Sequence, residues 1–237
     1  MSPSVVPHHP QDNRLLAALP SEDYERLLPQ LMPVTWALGD VLYEPDRAMG
    51  YLYFHTTAIV SLVYTMVDGA TAEMGMVGNE GVVGIALFMG GNTTPNRAVV
   101  QVAGSAFRLA ATALHAEFQR GGALQLELLR YTQALLTQVS QTAVCNRLHP
   151  INERLCRWLL LTFDRVPTNE MPMTHELLAH MLGARRESVT AAARHLQEMS
   201  LIRYGRGHIT LLDRQGLEAT VCECYRVVKN EYTRLLG

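Results

Sequence analysis

The spacing of apolar residues in this chain changes character after Pro33 and again near residue 110, and the stretch between excludes most folds open to 237 residues. From 34 to 108 the hydrophobic residues come in short β-branched and aromatic runs, at 41–43, 51–54, 59–64, 72–76, 82–88 and 98–102. Gly39-Asp40, Asp68-Gly69, Gly78-Asn79 and Gly90-Gly91-Asn92 stand between them. The gaps are too short for crossover helices, so the strands must pair antiparallel and pack face to face or close on one another. A jelly-roll-like barrel is expected. Short helices are expected ahead of it at 13–19 and 21–28, the second capped by Ser21 with Glu22 and Asp23 in its first turn.

Helical period returns at about Thr112, and from Leu124 apolar side chains recur about once per turn at Leu128, Tyr131, Leu135, Val139 and Ala143. One helix over 122–146 would span ~36 Å, more than a small barrel needs to cover its own core. Leu124, Leu128, Tyr131, Leu135 and Gln138 keep the three-four spacing of a coiled-coil seam, so they are expected to pair two copies into a homodimer. His149-Pro150 ends this helix. A further helix follows over 151–163, with Leu155, Trp158 and Leu159 inward, then a proline-containing loop over 164–173.

Composition excludes other classes. With 48% hydrophobic and 18% charged residues the chain can bury a substantial core. No apolar run reaches 18 residues, so no membrane span is expected. Residues 1–10 lack a basic cluster followed by an apolar block, so 1–12 is expected to be a disordered lead-in and the protein cytoplasmic. Cys145, Cys156, Cys222 and Cys224 show no paired CxxC spacing and read as reduced thiols. Residues 1–145 hold 7 basic and 12 acidic side chains, whereas 146–237 hold 13 and 10, so net charge runs from −5 to +3 and the basic part is C-terminal. That polarity points to an anionic partner there.

Thr174 can cap a helix with one apolar stripe of Leu177, Leu178, Met181 and Leu182, and Gly183 supplies the positive φ of a sharp turn. In the next helix Val189, Ala192, Ala193 and Leu196 fall at i, i+3, i+4 and i+7, leaving Arg185, Arg186, Glu187, Ser188 and Arg194 outward. Residues 201–204, the turn Gly205-Arg206-Gly207 and residues 208–212 then read as a β-hairpin, which completes a winged helix-turn-helix.

The run from Thr174-His175-Glu176-Leu177 through Gly183-Ala184-Arg185-Arg186-Glu187-Ser188-Val189 resembles the DNA-binding signature of the Crp/Fnr family of bacterial transcription regulators. The resemblance extends to the order of parts and covers nearly the whole chain. It implies an α+β fold with a cyclic-nucleotide-binding-like jelly roll over 13–121, a dimerisation helix over 122–148, a winged helix-turn-helix over 149–213 and a C-terminal helix over 214–237. It implies a non-enzymatic regulator that binds palindromic double-stranded DNA as a homodimer, and RNA polymerase as a partner if it activates. By position, Arg186 and Glu187 match the family's base-reading pair, and Arg185 and His175 its phosphate contacts. Thr174, Ser188 and Arg206 complete the expected DNA-binding set. The chemistry fits, because arginine can donate twice to guanine O6 and N7 and glutamate can accept from cytosine N4. Ala191 departs from members with a second base-reading arginine there, so one base pair of the half-site is expected to differ.

The family's cyclic-nucleotide cassette falls on residues 81–88 and 96–99, which makes Gly84, Ile85, Arg97 and Ala98 the candidate ligand pocket. Ile85 replaces the glutamate that holds a ribose hydroxyl, a loss of roughly 1–3 kcal/mol for the unsatisfied group. Arg97 precedes Ala98 directly, one position out of register. Cyclic AMP in the usual mode is not expected, nor is an iron–sulfur cluster, since no cysteine precedes Cys145. His55, His115, Cys145 and His149 are the available haem ligands, and the effector stays open. The rival reading is a ligand- or haem-sensing barrel whose C-terminal domain binds protein. A metal-dependent cupin enzyme would need clustered ligands, and 34–108 holds only His55 among histidines. From Leu217 one helix is expected with Val221, Cys224, Tyr225, Val228, Tyr232 and Leu235 on a stripe. On such a helix Cys222 and Cys224 would point about 200° apart, so no metal ligands are assigned.

Overall fold

The computed structural model describes residues 8–237. The lead-in expected over 1–12 lies outside the described residues for 1–7, and residues 8–12 are structured. The His9 ring accepts from the Gln11 amide at 3.3 Å and caps a short turn at Pro10–Asp12. Asn13 caps α1 (Arg14–Ala17) and is fully buried, its amide donating to the carbonyls of His55 and Gly81 at 2.9 Å each. In α2 (Ser21–Leu27) the cap position belongs to Pro20, and Ser21 is the first helical residue, one position past its expected place.

Eight strands form two four-stranded antiparallel sheets. The first runs β1 (Met32–Trp36), β8 (Gly104–Ala110), β3 (Tyr51–His55) and β6 (Val82–Val83). The second runs β2 (Val41–Tyr43), β7 (Arg97–Val102), β4 (Ile59–Thr65) and β5 (Thr71–Val77). β1 escapes sequence reading because Pro33 interrupts it, which an edge strand tolerates. The strand expected over 82–88 stops at Val83, and Ile85–Leu87 forms a single 3-10 turn. Leu52, Phe54, Val60, Val77, Val100 and Leu109 fill the space between the sheets.

After α3 (Ala111–Arg120) the chain breaks at Gly121-Gly122 and enters α4 (Ala123–Leu148), whose 26 residues span about 39 Å. Here the structure corrects the expected dimer seam. Leu124, Leu128, Tyr131, Leu135 and Gln138 are all buried within the protomer, facing the barrel. The Tyr131 ring lies so close to Gly81 that a Cβ there would sit 2.1 Å from its Cε2, and Gln138 Nε2 donates to the Met76 carbonyl at 3.0 Å. The three-four rhythm is real, but it is spent on the barrel. The exposed side of α4 carries Leu126, Leu129, Leu136, Val144 and Leu148.

The rest of the chain folds as α5 (Ile151–Phe163), β9 (Glu170–Pro172), α6 (His175–Leu182), α7 (Arg186–Glu198), β10 (Ile202–Gly205), β11 (His208–Leu211), α8 (Arg214–Thr220) and α9 (Cys224–Leu236). β9 lies in the expected loop and extends the hairpin to a three-stranded sheet, β10-β11-β9. The single C-terminal helix expected from Leu217 is two, because Val221 is extended (ψ 149). α9 packs along α4, with Tyr232 Oη 3.3 Å from Gln138 Nε2. α5 packs on the barrel: Ile59, Val63 and Met76 share one core with Trp158, Leu159 and Phe163. Polar bonds cross the same seam, Gln101 Nε2 to Thr162 Oγ1 at 3.3 Å and Arg165 Nε to Glu80 Oε1 at 2.8 Å.

Candidate nucleic-acid interface

The helix-turn-helix is built by local chemistry. Thr174 Oγ1 accepts from the Leu177 amide at 3.1 Å and starts α6. Gly183 ends it with φ 55 and ψ 46, a region where a side chain is strained, and a Cβ there would lie 3.1 Å from the Ala72 Cβ of the barrel. Val189, Ala192, Ala193 and Leu196 bury one face of α7, and the alanines let it approach α6 and α5 closely. At the hairpin tip Arg206 (φ 52) and Gly207 (φ 77) form a two-residue turn of the primed type, matched to the twist of the strands.

Four contacts fix the outer surface. The His175 ring stacks on Tyr204 with centroids 4.1 Å apart and planes at 13°, and its Nδ1 lies 3.1 Å from Thr190 Oγ1. The Tyr204 amide donates to Gln197 Oε1 at 2.8 Å, tying the hairpin to the end of α7. The Met173 amide donates to the Gly207 carbonyl at 2.7 Å, tying the tip to the start of α6. Burial, helped by the nearby Arg186 charge, holds the His175 imidazole below the ordinary histidine range, so at neutral pH it offers a hydrogen bond rather than a charge.

The expected DNA-binding residues come together on this surface. Thr174, Arg185, Arg186, Glu187, Ser188 and Arg206 are exposed, and His175 is half-buried beside them. Arg185 occupies the cap position of α7 with no side-chain cap, so the helix presents open backbone amides next to two guanidinium groups. Arg185, Arg186, Arg203 and Arg206 form no salt bridge among the described residues, while Arg194 is held by Glu198 at 3.1 Å. Sequence reasoning missed Thr190, Arg203, Tyr204 and Gln197. Thr190 stands one turn after Arg186, a spacing that could have revealed it; the Tyr204 stack crosses elements and leaves no local mark.

The candidate ligand pocket does not assemble in the same way. Ala98 and Val100 point into the barrel core, so by strand alternation Arg97 points to the other face, where it pairs with Glu44 at 3.2 Å. Gly84 and Ile85 lie at the turn after β6, with Ile85 packed against the barrel core. Of the histidines weighed for haem, His55 is wholly buried beside Trp36, its pKa pushed down to about 3 by burial, and His115 Nε2 sits 2.8 Å from the Leu87 carbonyl. The premise that kept Cys222 and Cys224 apart also fails. They do not share a helix, since Cys222 precedes α9 and Cys224 opens it, and both sulfurs converge with Cys145 and His149.

Comparison with known proteins agrees with this geometry. Residues 153–220 match the Crp-like helix-turn-helix domain. Among solved structures, a chain from Eubacterium rectale assigned to the Crp/Fnr family of transcriptional regulators is 16% identical and superposes with a TM-score of 0.70 over 89% of this chain and 98% of its own. FixK2 from Bradyrhizobium japonicum is 18% identical, with a TM-score of 0.67 over 81% of this chain and 98% of its own. The c-di-GMP-responsive global regulator CLP of Xanthomonas campestris is 16% identical, with a TM-score of 0.66 over 81% and 99%. No curated protein matches the sequence. No helix among the described residues is long and apolar enough to cross a membrane.

Proposed function

We propose that this chain, whose residues 153–220 match the Crp-like helix-turn-helix domain and whose fold is similar to that of solved Crp/Fnr regulators, is a non-enzymatic transcription regulator that binds a palindromic operator as a cytoplasmic homodimer. The observation that carries the reading is the pair Arg185 and Arg186, without a salt bridge among the described residues, at the open N-terminus of α7. Arg186 and Glu187 project from the first turn, where a recognition helix meets base edges, and serve as the base-reading pair. Arg185, Arg206 and the neutral His175 hold phosphates on either side, with Thr174 and Ser188 as hydroxyl donors.

The dimer forms through the exposed side of α4. Leu126, Leu129, Gln133, Leu136, Ser140, Ala143 and Arg147 follow the three-four rhythm, and all seven are exposed. Leu136→Arg is expected to yield a folded monomer by light scattering, whereas Leu128→Ala is expected to lower the melting temperature and leave the dimer. The pocket is degenerate for cyclic nucleotides of the usual mode, since Ile85 supplies no acceptor and Arg97 is turned outward to Glu44. If the protein activates transcription, RNA polymerase is its further partner.

Selection of bound duplexes from a random pool by the full chain tests the core of this reading. Recovery of a two-fold symmetric site, with half-sites about one helical turn apart, is expected. No enrichment over input, either alone or with a cell extract added, would overturn it.

A further inference from the structure

The end of α4 and the segment between α8 and α9 bring four ligand atoms to one point. Cys145 and His149 stand four residues apart at the last turn of α4, so both face the same side. The extended backbone at Val221 turns Cys222 back toward them, and Cys224 opens α9 beside it. Cys145 Sγ lies 3.6 Å from Cys222 Sγ, Cys224 Sγ lies 3.6 Å from His149 Nδ1, and all four donors fall within 4.8 Å of one another. A tetrahedral ion with sulfur bonds of about 2.3 Å sets its ligands about 3.8 Å apart. The cluster is therefore sized for one ion, and too tight for a polynuclear iron–sulfur cluster.

Two further observations point the same way. Glu223 Oε2 sits 3.6 Å from His149 Nε2, the ring nitrogen left free when Nδ1 binds, an ion-pair distance on the side where metal-bound histidines ordinarily carry a carboxylate. The Arg157 guanidinium is buried, forms no salt bridge among the described residues, leaves its Nε unpartnered, and donates through Nη1 to Thr142 Oγ1, one turn before Cys145. Three thiolates around a divalent ion carry one net negative charge, a second anionic neighbour for this cation besides the Glu73 carboxyl.

We propose that Cys145, His149, Cys222 and Cys224 bind one zinc-class divalent ion in a closed, structural Cys3His site. On binding, three sulfur–metal bonds and one nitrogen–metal bond form, and three thiol protons leave to solvent. The ion staples the junction where the dimer helix turns into the DNA-binding domain to the C-terminal helix, and so fixes that domain's attachment. A disulfide between Cys145 and Cys222 would use two of the four donors and leave Cys224 and His149 without a role.

The full chain, purified reduced and without chelator, is expected to carry one zinc per protomer by native mass spectrometry and elemental analysis. Exchange with Co2+ is expected to give sulfur-to-cobalt charge-transfer bands and the visible bands of a tetrahedral site. Cys222→Ser and Cys224→Ser should lose the stoichiometric metal, and His149→Cys should keep it, which separates lost ligation from misfolding. Glu223→Gln should weaken zinc binding roughly 10-fold. A folded, reduced protein that takes up neither Zn2+ nor Co2+ would overturn the proposal. So would a protein isolated with a Cys145–Cys222 disulfide and no metal, or cobalt spectra unchanged in both serine variants.

Discussion

The arginines of the barrel seam and those of the helix-turn-helix live under opposite conditions. At the seam Arg165 is almost enclosed and bonded to Glu80, and in the N-terminal part Arg26 and Arg120 both hold Glu117. Arg185 and Arg186 at the start of α7, and Arg203 and Arg206 on the hairpin, stand in solvent with no carboxylate partner among the described residues. Pairing Arg165 internally at the seam while leaving Arg185 and Arg186 unpaired and exposed at the start of α7 fits a second set held for an anion outside the chain. In the first region charge removal should cost stability, and in the second only binding.

The largest effect is expected where pairing is deepest. Arg165→Leu strands Glu80 in the seam between barrel and α5, at about 3–5 kcal/mol of stability. Urea titration followed by circular dichroism measures it, and a loss under 1 kcal/mol would break the contrast. Glu73 gives a pH signature in the same seam. Burial pushes its carboxyl up to about 7 from 4.5, against the Ser61 hydroxyl and Arg157, which pull it down. Below 4.5 the group is protonated in folded and unfolded chains alike. As pH rises toward 7 the unfolded chain ionises first, so the folded state loses up to roughly 3 kcal/mol. Glu73→Gln should remove that loss, so the difference between variant and wild type grows from pH 5 to 8. His55, held down to about 3, works in the opposite sense by costing stability below 6.5, and it cancels in this comparison.

The two regions also differed in how far sequence could read them. The helix-turn-helix was legible because its determinants are local: Thr174 caps, Gly183 turns, Arg206-Gly207 closes the hairpin, and each acts within a few residues. On α4 the sequence holds two three-four stripes, one through Leu128 and Tyr131, the other through Leu129 and Leu136. Spacing gives the period of a stripe but not what covers it, and the more apolar stripe belongs to the barrel. Arg97 depended on the phase of β7 against its neighbours, which pairing decides. The convergence of Cys222 and Cys224 on Cys145 depended on one extended residue, Val221, in a stretch whose apolar spacing suits a continuous helix.

The smaller expected effects separate the unpaired arginines from one another. Arg186→Ala should cost ~1–3 kcal/mol per half-site on the selected operator, and little on scrambled DNA, since a bidentate contact to guanine is lost only where guanine is present. Its melting temperature should stay close to wild type, because the side chain forms no hydrogen bond or salt bridge among the described residues. Arg185→Ala should weaken binding on both DNAs about equally. It should also lower the slope of log affinity against log salt by about 1, the mark of one phosphate contact removed. Salt titrations of the two variants on both duplexes decide the assignment. Arg186 is the base reader if its loss follows sequence and Arg185 the phosphate clamp if its loss follows salt. The reverse pattern would place the groove one residue earlier along α7 than the matched signature does.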